Sequence, residues 1–305
     1  MQWFFKKMFL IHTEKLVYNK VMHKKVRHVI ILVVFLLVTA GMGFSVWWSI
    51  SGEKRADYVV ETNVPFAPFE FYKNREIVGV DVEIVDRVAK KLDKVIQIKN
   101  VEFDVIVDNV EAGRIADAGA AGLTITPARE AKVNFTIPYY DSVQYVIYSQ
   151  EMPPSLRDNH VVWEALAGAT LGSQIGSTGY LFAEDEIKNG VLTGTDTKLK
   201  GIDSHQLAAD AISAQIIDYA VADELAARMI VEKNPGLAAV PLYYAGKTRE
   251  DDYPVKESYA IAVNKTRSDL LKAFNEVLSE MLTEDENGET EIERLVIKYT
   301  GMSDE

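Results

Sequence analysis

The sequence predicts an α/β protein of two lobes, preceded by one apolar helix. From residue 57 onward, short apolar strands alternate with amphipathic helices, which is typical of parallel sheets with crossover helices. The length of 305 residues suits about two domains. Two apolar strands, over residues 144–148 and 258–264, each border a polar stretch. We therefore interpret them as the strands on which the chain crosses between the lobes.

The N-terminal segment differs from the rest of the chain in charge and hydropathy. Residues 1–28 are basic, and residues 29–50 carry no charge. A helix of that length rises about 33 Å, enough to cross a bilayer core. The basic flank predicts a cytoplasmic N-terminus, and Trp47 and Trp48 suit the outer interface. We predict a membrane anchor over residues 29–50, a linker over residues 51–56 and an outward-facing body, with a cleaved signal sequence as the alternative.

The composition excludes several classes of function. The chain carries 33 Lys or Arg against 45 Asp or Glu, and the basic residues concentrate before residue 29. The acidic body argues against nucleic acid as a partner, because phosphate binding needs a basic face. The absence of cysteine excludes disulfides, thiolate metal sites and a lipidated cysteine. Because the five histidines are scattered, we expect no metal and no cofactor.

Sequence patterns also locate the individual elements of the body. We predict a helix over residues 80–92 with Asp81 as its N-cap, and a helix over residues 105–112 opened by Asp104. Further strands are predicted over residues 58–62, 95–101, 115–126, 169–173, 197–202 and 218–222, and further helices over residues 161–167, 178–187, 205–215, 223–233, 268–284 and 290–301.

The stretch AAGLTITPARE, residues 120–130, predicts an anion site. Its small residues let another group approach the backbone closely. Thr124 and Thr126 share one face of the strand, because alternate residues point the same way. Pro127 suits the first position of a helix, and the Arg129 guanidinium follows as a bidentate clamp. An ordinary strand–turn–helix junction with a solvated arginine is the alternative.

Four other features of the sequence add candidate residues to the site predicted around Arg129. Asn63 and Phe66 follow the first strand at its carboxyl end, where open α/β sheets bind ligands. Phe66 could stack on a ligand, with local core packing as the alternative. Phe103 precedes a helix, and core packing is the alternative there too. Residues 173–179 form a small-residue loop before a helix, which favours an anion. Asp223 ends an apolar strand and suits an ammonium group, with a plain N-cap as the alternative.

Together these residues would hold both charges of an amino acid. Arg129, Ser177 and Thr178 offer a site for a carboxylate, and Asp223 offers a site for an ammonium group. The chain resembles the extracytoplasmic solute-binding proteins of polar amino acid ABC transporters, known as bacterial solute-binding protein family 3. The matching stretches are TNVPFAPFEFY, IVGVDVEIVDRVAKKL, AAGLTITPARE, LGSQIGSTGY, IDYAVADELAA, SYAIAVN and IERLVIKYTG.

The resemblance implies a two-lobe periplasmic-binding-protein fold of type II, with two crossing hinge strands. Lobe 1 would comprise residues 57–145 and 258–305, and lobe 2 residues 146–257. The resemblance also implies the role of each site residue. Arg129 would bind the α-carboxylate, with Ser177 and Thr178 capping it; Asp223 would bind the α-ammonium; Ala121, Gly122 and Thr124 would contact the ligand directly; Asn63, Phe66, Phe103 and Gln174 would surround its side chain.

The implied function is that of a monomeric receptor which hands a free polar amino acid to an ABC permease, without catalysis. The position of Asn63 is often acidic in family members that bind cationic amino acids. A neutral amide there, opposite Gln174, therefore favours an uncharged ligand such as glutamine. Two alternatives on the same fold are an amino acid-sensing module and a dehydratase-like enzyme. The enzyme would need a carboxylic acid in the cleft, for which Glu70 and Glu224 adjoin the matching stretches.

Overall fold

Residues 56–300 are the part of the chain that this computed structural model describes, and they fold around two mixed sheets. The first sheet has five strands. The strand nearest the N-terminus pairs in parallel with both of its neighbours, and the strand nearest the C-terminus pairs antiparallel with both of its neighbours. In spatial order they are β4 (Ile96–Asn100), β1 (Tyr58–Thr62), β5 (Ala118–Gly119), β15 (Ala262–Val263) and β6 (Asn134–Phe135), and the hairpin of β2 (Phe71–Lys73) and β3 (Glu76–Val78) lies apart.

The second sheet has eight strands and organises the middle of the chain. Six of them form its main path, and two short strands pair at its margins. The path runs β10 (Lys198–Ile202), β9 (Thr170–Gln174), β11 (Tyr219–Asp223), β7 (Tyr140–Ser149), β12 (Leu237–Tyr244) and β13 (Tyr253–Pro254), while β14 (Lys256–Tyr259) pairs with β7 and β8 (Val161–Val162) with β12.

Helices flank both sheets. The first lobe, built on the five-stranded sheet, carries α1 (Val80–Leu92), α2 (Ile106–Ala112), α3 (Pro127–Lys132), α7 (Ser268–Met281) and α8 (Glu291–Thr300). The second lobe, built on the eight-stranded sheet, carries α4 (Thr178–Lys188), α5 (His205–Ser213) and α6 (Glu224–Lys233).

The two crossing strands lie side by side. The first half of β7 pairs antiparallel with β14, where Val143 faces Lys256 and Tyr140 faces Tyr259. Its second half pairs with β11 and β12 inside the second lobe. The two-lobe α/β architecture predicted from sequence is thus present. The lobe boundaries near residues 145 and 258 stay a prediction.

The predicted anchor over residues 29–50, its basic flank and nearly all of the linker lie outside the described residues. Within residues 56–300, every helix is too short or too polar to cross a bilayer.

Several local predictions were wrong. Residues 115–126 form only the two-residue strand β5, because the chain turns at Gly122, whose φ is +55°. Residues 161–167 form β8 and a 3-10 turn, since the β-branched valines pair with β12. The apolar run 258–264 is divided between β14 and β15. The strand β12 was not predicted, because its residues LAAVPLYY follow no strict alternation.

Two capping predictions also failed. Gly79 occupies the N-cap of α1, and no side chain caps that helix. Asp81 is instead buried in the first turn, where its carboxylate accepts hydrogen bonds from the Gly122 amide at 3.0 Å and the Tyr139 hydroxyl at 2.6 Å. Asp104 does not cap α2 either, because a 3-10 turn beginning at Phe103 leads into that helix without a side-chain cap.

The cores explain why β7 is so apolar. Its consecutive residues Val146 and Ile147 point to opposite faces and pack into separate apolar clusters of the second lobe. Trp163 anchors one cluster and Ile230 belongs to the other. In the first lobe, Phe274 lies fully buried in a cluster that α1, α7 and α8 share. The crossing strand is therefore fixed on both faces.

Glu70 is an exception in the apolar interior of the first lobe. It is fully buried, and neither carboxyl oxygen has a hydrogen-bond partner among the described residues. Burial, followed by the charge of Asp81, raises the pKa of Glu70 well above its ordinary value of 4.5. The folded state therefore favours the protonated acid. The free energy of unfolding should fall as the pH rises toward that raised pKa, because the unfolded chain ionises first.

We expect Glu70→Gln to remove this part of the pH dependence, and Glu70→Met to raise the free energy of unfolding by about 1–3 kcal/mol as well, because the unpaired polar group is gone. Urea unfolding at pH 5 and pH 8 measures both effects. Glu76→Gln, at an exposed position of β3, is the control. A Glu70→Met protein less stable than the parent at pH 8 would contradict the expectation.

Candidate functional site

A cavity of about 10 Å³ lies between the two lobes, beside the carboxyl ends of β1, β9 and β11. Ten of the eleven predicted site residues line it, together with His205, which was not predicted. From the first lobe these are Asn63, Phe66, Phe103, Ala121, Gly122 and Thr124, and from the second lobe Gln174, Ser177, Thr178 and Asp223.

Arg129, the eleventh residue, lies directly behind the lining. Its guanidinium donates to the Thr124 carbonyl at 2.7 Å and to the Gly176 carbonyl at 2.9 Å. It also lies over the Phe103 ring, 5.7 Å from the ring centroid. Pro127 begins α3 as predicted, and the Thr126 hydroxyl caps that helix by accepting from the Arg129 amide. A single helical turn thus carries the guanidinium to the cavity wall.

Burial lowers the pKa of Arg129 to about 10, although Glu257 and Asp223 act in the opposite direction. The side chain is therefore a charged, largely dehydrated cation at neutral pH. Its two hydrogen bonds go to neutral carbonyl groups, which leaves its charge without a directly bonded anion among the described residues. Such a cation attracts a carboxylate strongly.

Two glycines permit close approaches at the cavity. Gly122 has a φ of +55°, and a Cβ there would lie 2.4 Å from the Phe66 ring. Gly176 has a φ of +77°, and a Cβ there would lie 2.8 Å from the Cβ of Asp104. The first approach is within one lobe, whereas the second joins the two lobes. Small residues therefore allow both the aromatic wall and the contact between lobes.

The N-terminus of α4 meets the cavity through Ser177 and Thr178. Ser177 is the N-cap, and its hydroxyl accepts from the Tyr180 amide at 3.2 Å. Ser173, at the end of β9, shares a 3.2 Å hydrogen bond with the Ser177 hydroxyl. The predicted small-residue loop is thus a capped helix start, whose dipole favours negative charge.

Asp223 stands at the N-cap position of α6, but its side chain makes no capping hydrogen bond. The carboxylate instead accepts from the Gln144 side-chain amide and from the Tyr259 hydroxyl, the latter at 2.6 Å. Both donors come from the crossing strands β7 and β14. The carboxylate is therefore directed at the cavity and away from its own helix, so a capping role does not explain it.

Four residues of the site were not predicted: Gln144, His205, Glu257 and Tyr259. Glu257 is 5% exposed, and its carboxyl accepts from Thr124, Thr178 and Gln144. His205 begins α5, and its ring lies tilted by 35° against the Phe66 ring, with 5.6 Å between the ring centroids. A polar residue at the start of an apolar crossing strand was the available signal for Gln144, whereas Glu257 lies in the polar stretch before residue 258 and offered no such signal. For His205, the signal was its place directly after β10, behind the N-cap Ser204.

Among the described residues, two hydrogen bonds outside the crossing strands pass directly from one lobe to the other. Gln174 donates to the Asn63 side-chain oxygen at 2.9 Å, and Arg129 donates to the Gly176 carbonyl at 2.9 Å. The hydroxyls of Thr124 and Thr178 also meet there, 3.3 Å apart, and each donates its proton to Glu257. The cavity they enclose has room for about one water molecule. A ligand larger than one water molecule would therefore have to displace these bonds.

The sequence and the structure both match known proteins. The family described as bacterial extracellular solute-binding proteins, family 3, matches over residues 58–300. The putative ABC transporter arginine-binding protein 2 of Escherichia coli K12 is 30% identical over 221 residues, covering 72% of this chain and 83% of that protein.

Two solved structures show the same fold. The amino acid ABC transporter substrate-binding protein AbpA of Streptococcus pneumoniae, bound to L-arginine, is 25% identical with a TM-score of 0.65, covering 79% of this chain and 93% of that one. An ancestral arginine-binding protein bound to glutamine is 28% identical with a TM-score of 0.64, covering 82% of this chain and all of that one (100%).

His205 offers a direct probe of the charge at Asp223. Burial lowers the pKa of His205 below its ordinary value of 6.5, and the charge of Asp223 partly opposes that shift. We expect an NMR titration of His205 to have its midpoint below 6.5, and Asp223→Asn to lower that midpoint further. Asp218→Asn, which removes the same charge just before the other end of β11, is the matched control. A midpoint unmoved by Asp223→Asn would contradict this arrangement of charges.

Proposed function

Because the chain belongs to family 3 of the bacterial extracellular solute-binding proteins, we propose that it binds a free polar amino acid between its lobes and delivers it to an ABC-type permease. One observation carries the proposal: a buried guanidinium and a buried carboxylate, Arg129 and Asp223, adjoin the same small cavity. Opposite charges placed in this way match the carboxylate and the ammonium group of a zwitterion.

The proposed binding mode follows from the cost of dehydrating charge. A zwitterion loses its hydration on entering the cleft, so each of its charges needs a partner there. Arg129 of the first lobe would bind the carboxylate, with Ser177 and Thr178 at the start of α4 completing its coordination. Asp223 of the second lobe would bind the ammonium group. Both charges are then satisfied only when the lobes are together.

Closure would be a hinge motion on β7 and β14, the strands that join the lobes. An amino acid in contact with both lobes binds the closed arrangement more tightly than the open one, and this difference drives closure. The hydrogen bond from Arg129 to the Gly176 carbonyl would be exchanged for one to the ligand. The permease would then recognise the closed receptor.

The side-chain end of the site favours an uncharged amide. Asn63 donates to the Val101 carbonyl at 2.7 Å and accepts from Gln174. These two amides can exchange donors and acceptors with a third amide, which is the side-chain group of glutamine. Glutamine is therefore our first candidate for the ligand.

Arginine is the second candidate, and a different observation favours it. A pocket of about 310 Å³ adjoins the site through Phe103 and Gln174, and the exposed carboxylates of Glu102, Asp104 and Asp203 line it. A guanidinium extending past Phe103 would meet this negative field. The arginine-binding relatives agree with this reading, while the ancestral protein bound to glutamine shows that related sites hold both ligands.

We propose no catalysis. The acids that adjoin the matching stretches do not line the cavity: Glu70 is enclosed in the first lobe, and Glu224 pairs with Arg228 at 2.8 Å. We further propose that the receptor acts as a monomer, with its lobes extracytoplasmic and residues 29–50 as the membrane anchor. The family's extracellular description supports the position of the lobes.

We expect Arg129→Ala and Asp223→Ala each to weaken amino acid binding at least about 30-fold, because each leaves a dehydrated ligand charge without a partner. Isothermal titration calorimetry measures the loss. Arg114→Ala removes an exposed arginine of the same lobe and should bind as the parent does. Near-parental affinity in either site variant would overturn the assignment.

Asn63→Asp separates the two candidate ligands. We expect the new carboxylate to favour arginine over glutamine by about tenfold or more relative to the parent, because it adds a charge partner for a guanidinium. Thermal melting against each of the twenty amino acids identifies the parental ligand, since a bound ligand raises Tm. Competition calorimetry then gives the preference of each protein. An unchanged preference would place the ligand side chain elsewhere.

A further inference from the structure

Glu257 joins the two lobes at the floor of the site. It lies on the crossing strand β14, and its Oε2 accepts from the Thr124 hydroxyl at 2.8 Å and the Thr178 hydroxyl at 2.6 Å. Its Oε1 accepts from the Gln144 amide at 2.7 Å. Thr124 belongs to the first lobe, and Thr178 begins a helix of the second. One carboxyl oxygen thus receives a hydroxyl from each lobe.

A second carboxyl shares this environment. The amide nitrogen of Gln144 that donates to Glu257 also donates to Asp223. The Tyr259 hydroxyl donates to Asp223, and His205 feels the charge of Asp223. Arg129 is the cation of this group, and it donates to carbonyls and to neither carboxyl.

This arrangement makes a second negative charge costly. If Asp223 and Glu257 were both ionised in the closed cleft, one buried negative charge would remain after the charge of Arg129 is counted. Burial, followed by the charge of Asp223, raises the pKa of Glu257 well above its ordinary value of 4.5. The hydrogen bonds from Thr178 and Thr124 act against that rise without reversing it. The closed cleft therefore favours the neutral acid.

Opening the lobes changes these surroundings. Separation of Thr124 from Thr178 removes at least one of the two hydroxyls that Glu257 holds, and it admits water to the carboxyl. A hydrated carboxyl ionises near its ordinary pKa. The open and closed arrangements thus differ in the proton that Glu257 carries.

We propose that Glu257 is a positioning residue that takes up one proton from solvent when the lobes close on the amino acid. This inference rests on the proposed function. The neutral carboxyl accepts from Thr124 and Thr178 and donates its O–H to Asp223, so it holds the two lobes together without adding charge. The zwitterion pairs with Arg129 and Asp223. When the cleft opens, the O–H bond ionises and the proton returns to water.

The direction of the pH dependence follows from this exchange. The closed state binds the proton more tightly than the open state does, so ligand affinity falls as the pH rises above 4.5 toward the raised pKa. The limiting slope is about tenfold per pH unit for one proton. His205 acts in the opposite direction, because burial lowers its pKa and closure would release its proton. A comparison of variants that both keep His205 cancels that contribution.

Calorimetry of the full chain tests the proposal, with L-glutamine or L-arginine, whichever binds. At each pH from 6 to 8.5, titrations in buffers of different ionisation enthalpy give the protons taken up per binding event. Relative to Glu257→Gln, we expect the parent to take up additional protons, approaching one per binding event where the pH lies between the ordinary and the raised pKa of Glu257. Glu257→Gln, which imitates the neutral acid, should lose the part of the pH dependence of affinity that Glu257 supplies.

Glu61→Gln is the matched control. Glu61 is also a buried carboxylate, 2% exposed, but it pairs with Asn109 at 3.0 Å inside the first lobe. This variant should take up protons as the parent does. If Glu257→Gln is unfolded by circular dichroism, Glu257→Met, which is neutral and of similar length, is measured in its place.

The outcomes separate the two proposals. Equal proton uptake by the parent and by Glu257→Gln overturns the role of Glu257 and leaves the receptor function standing. The same conclusion follows if Glu61→Gln loses the uptake as Glu257→Gln does. Absence of binding to every one of the twenty amino acids overturns both proposals together.

Discussion

A charge can be buried between two lobes only if a compensating group is buried with it. Arg129 and Asp223 meet this constraint in the same manner. Each is hydrogen-bonded by neutral groups, carbonyls for the guanidinium and an amide with a phenol for the carboxylate. These contacts satisfy the hydrogen-bonding groups of both side chains. Because the partners are neutral, the charge of each side chain can still attract an opposite charge. That remaining attraction is available to the charges of a ligand in the cavity.

The crossing strands β7 and β14 connect the lobes and also carry residues of the site. Gln144 on β7 and Tyr259 on β14 orient the Asp223 carboxylate, and Glu257 on β14 reaches a hydroxyl of each lobe. The floor of the site and the proposed hinge are therefore the same pair of strands. Val146 and Ile147 fix β7 in two cores, so a change at the floor would act directly on the strand about which we propose that the lobes turn.

Much of the fold and the site could be predicted because the signals were local. The helix over residues 80–92 has a continuous apolar face, and its bounds agree with α1. The stretch around Pro127 combines a helix start with an arginine one turn later, which placed Arg129 beside the cavity. Asn63 was placed by its position after the first strand. In each case neighbours in the sequence suffice.

The site residues that were missed lie far apart in the sequence and meet only in the folded chain. Gln144 and Glu257 are 113 residues apart, and only the pairing of β7 with β14 brings them together. Gln144 looks like a stray polar residue in an apolar strand, and Glu257 looks like one more charge in the polar stretch before residue 258. The strand predicted over residues 115–126 failed for a different reason. Alternating side chains suggest extension, but Gly122 at positive φ turns the chain toward the cavity.

The contact of Gly176 with Asp104 sets how closely the lobes can meet. The atoms opposite the missing Cβ are the Cβ and Cα of Asp104, which are tied to the backbone and cannot swing aside. A single methyl group at Gly176 would therefore hold the two lobes apart at the cleft. Such a receptor would keep its ligand-binding groups but could not bring its lobes as close together as the parent does. In a genetic screen, the lesion would resemble a defect in the permease.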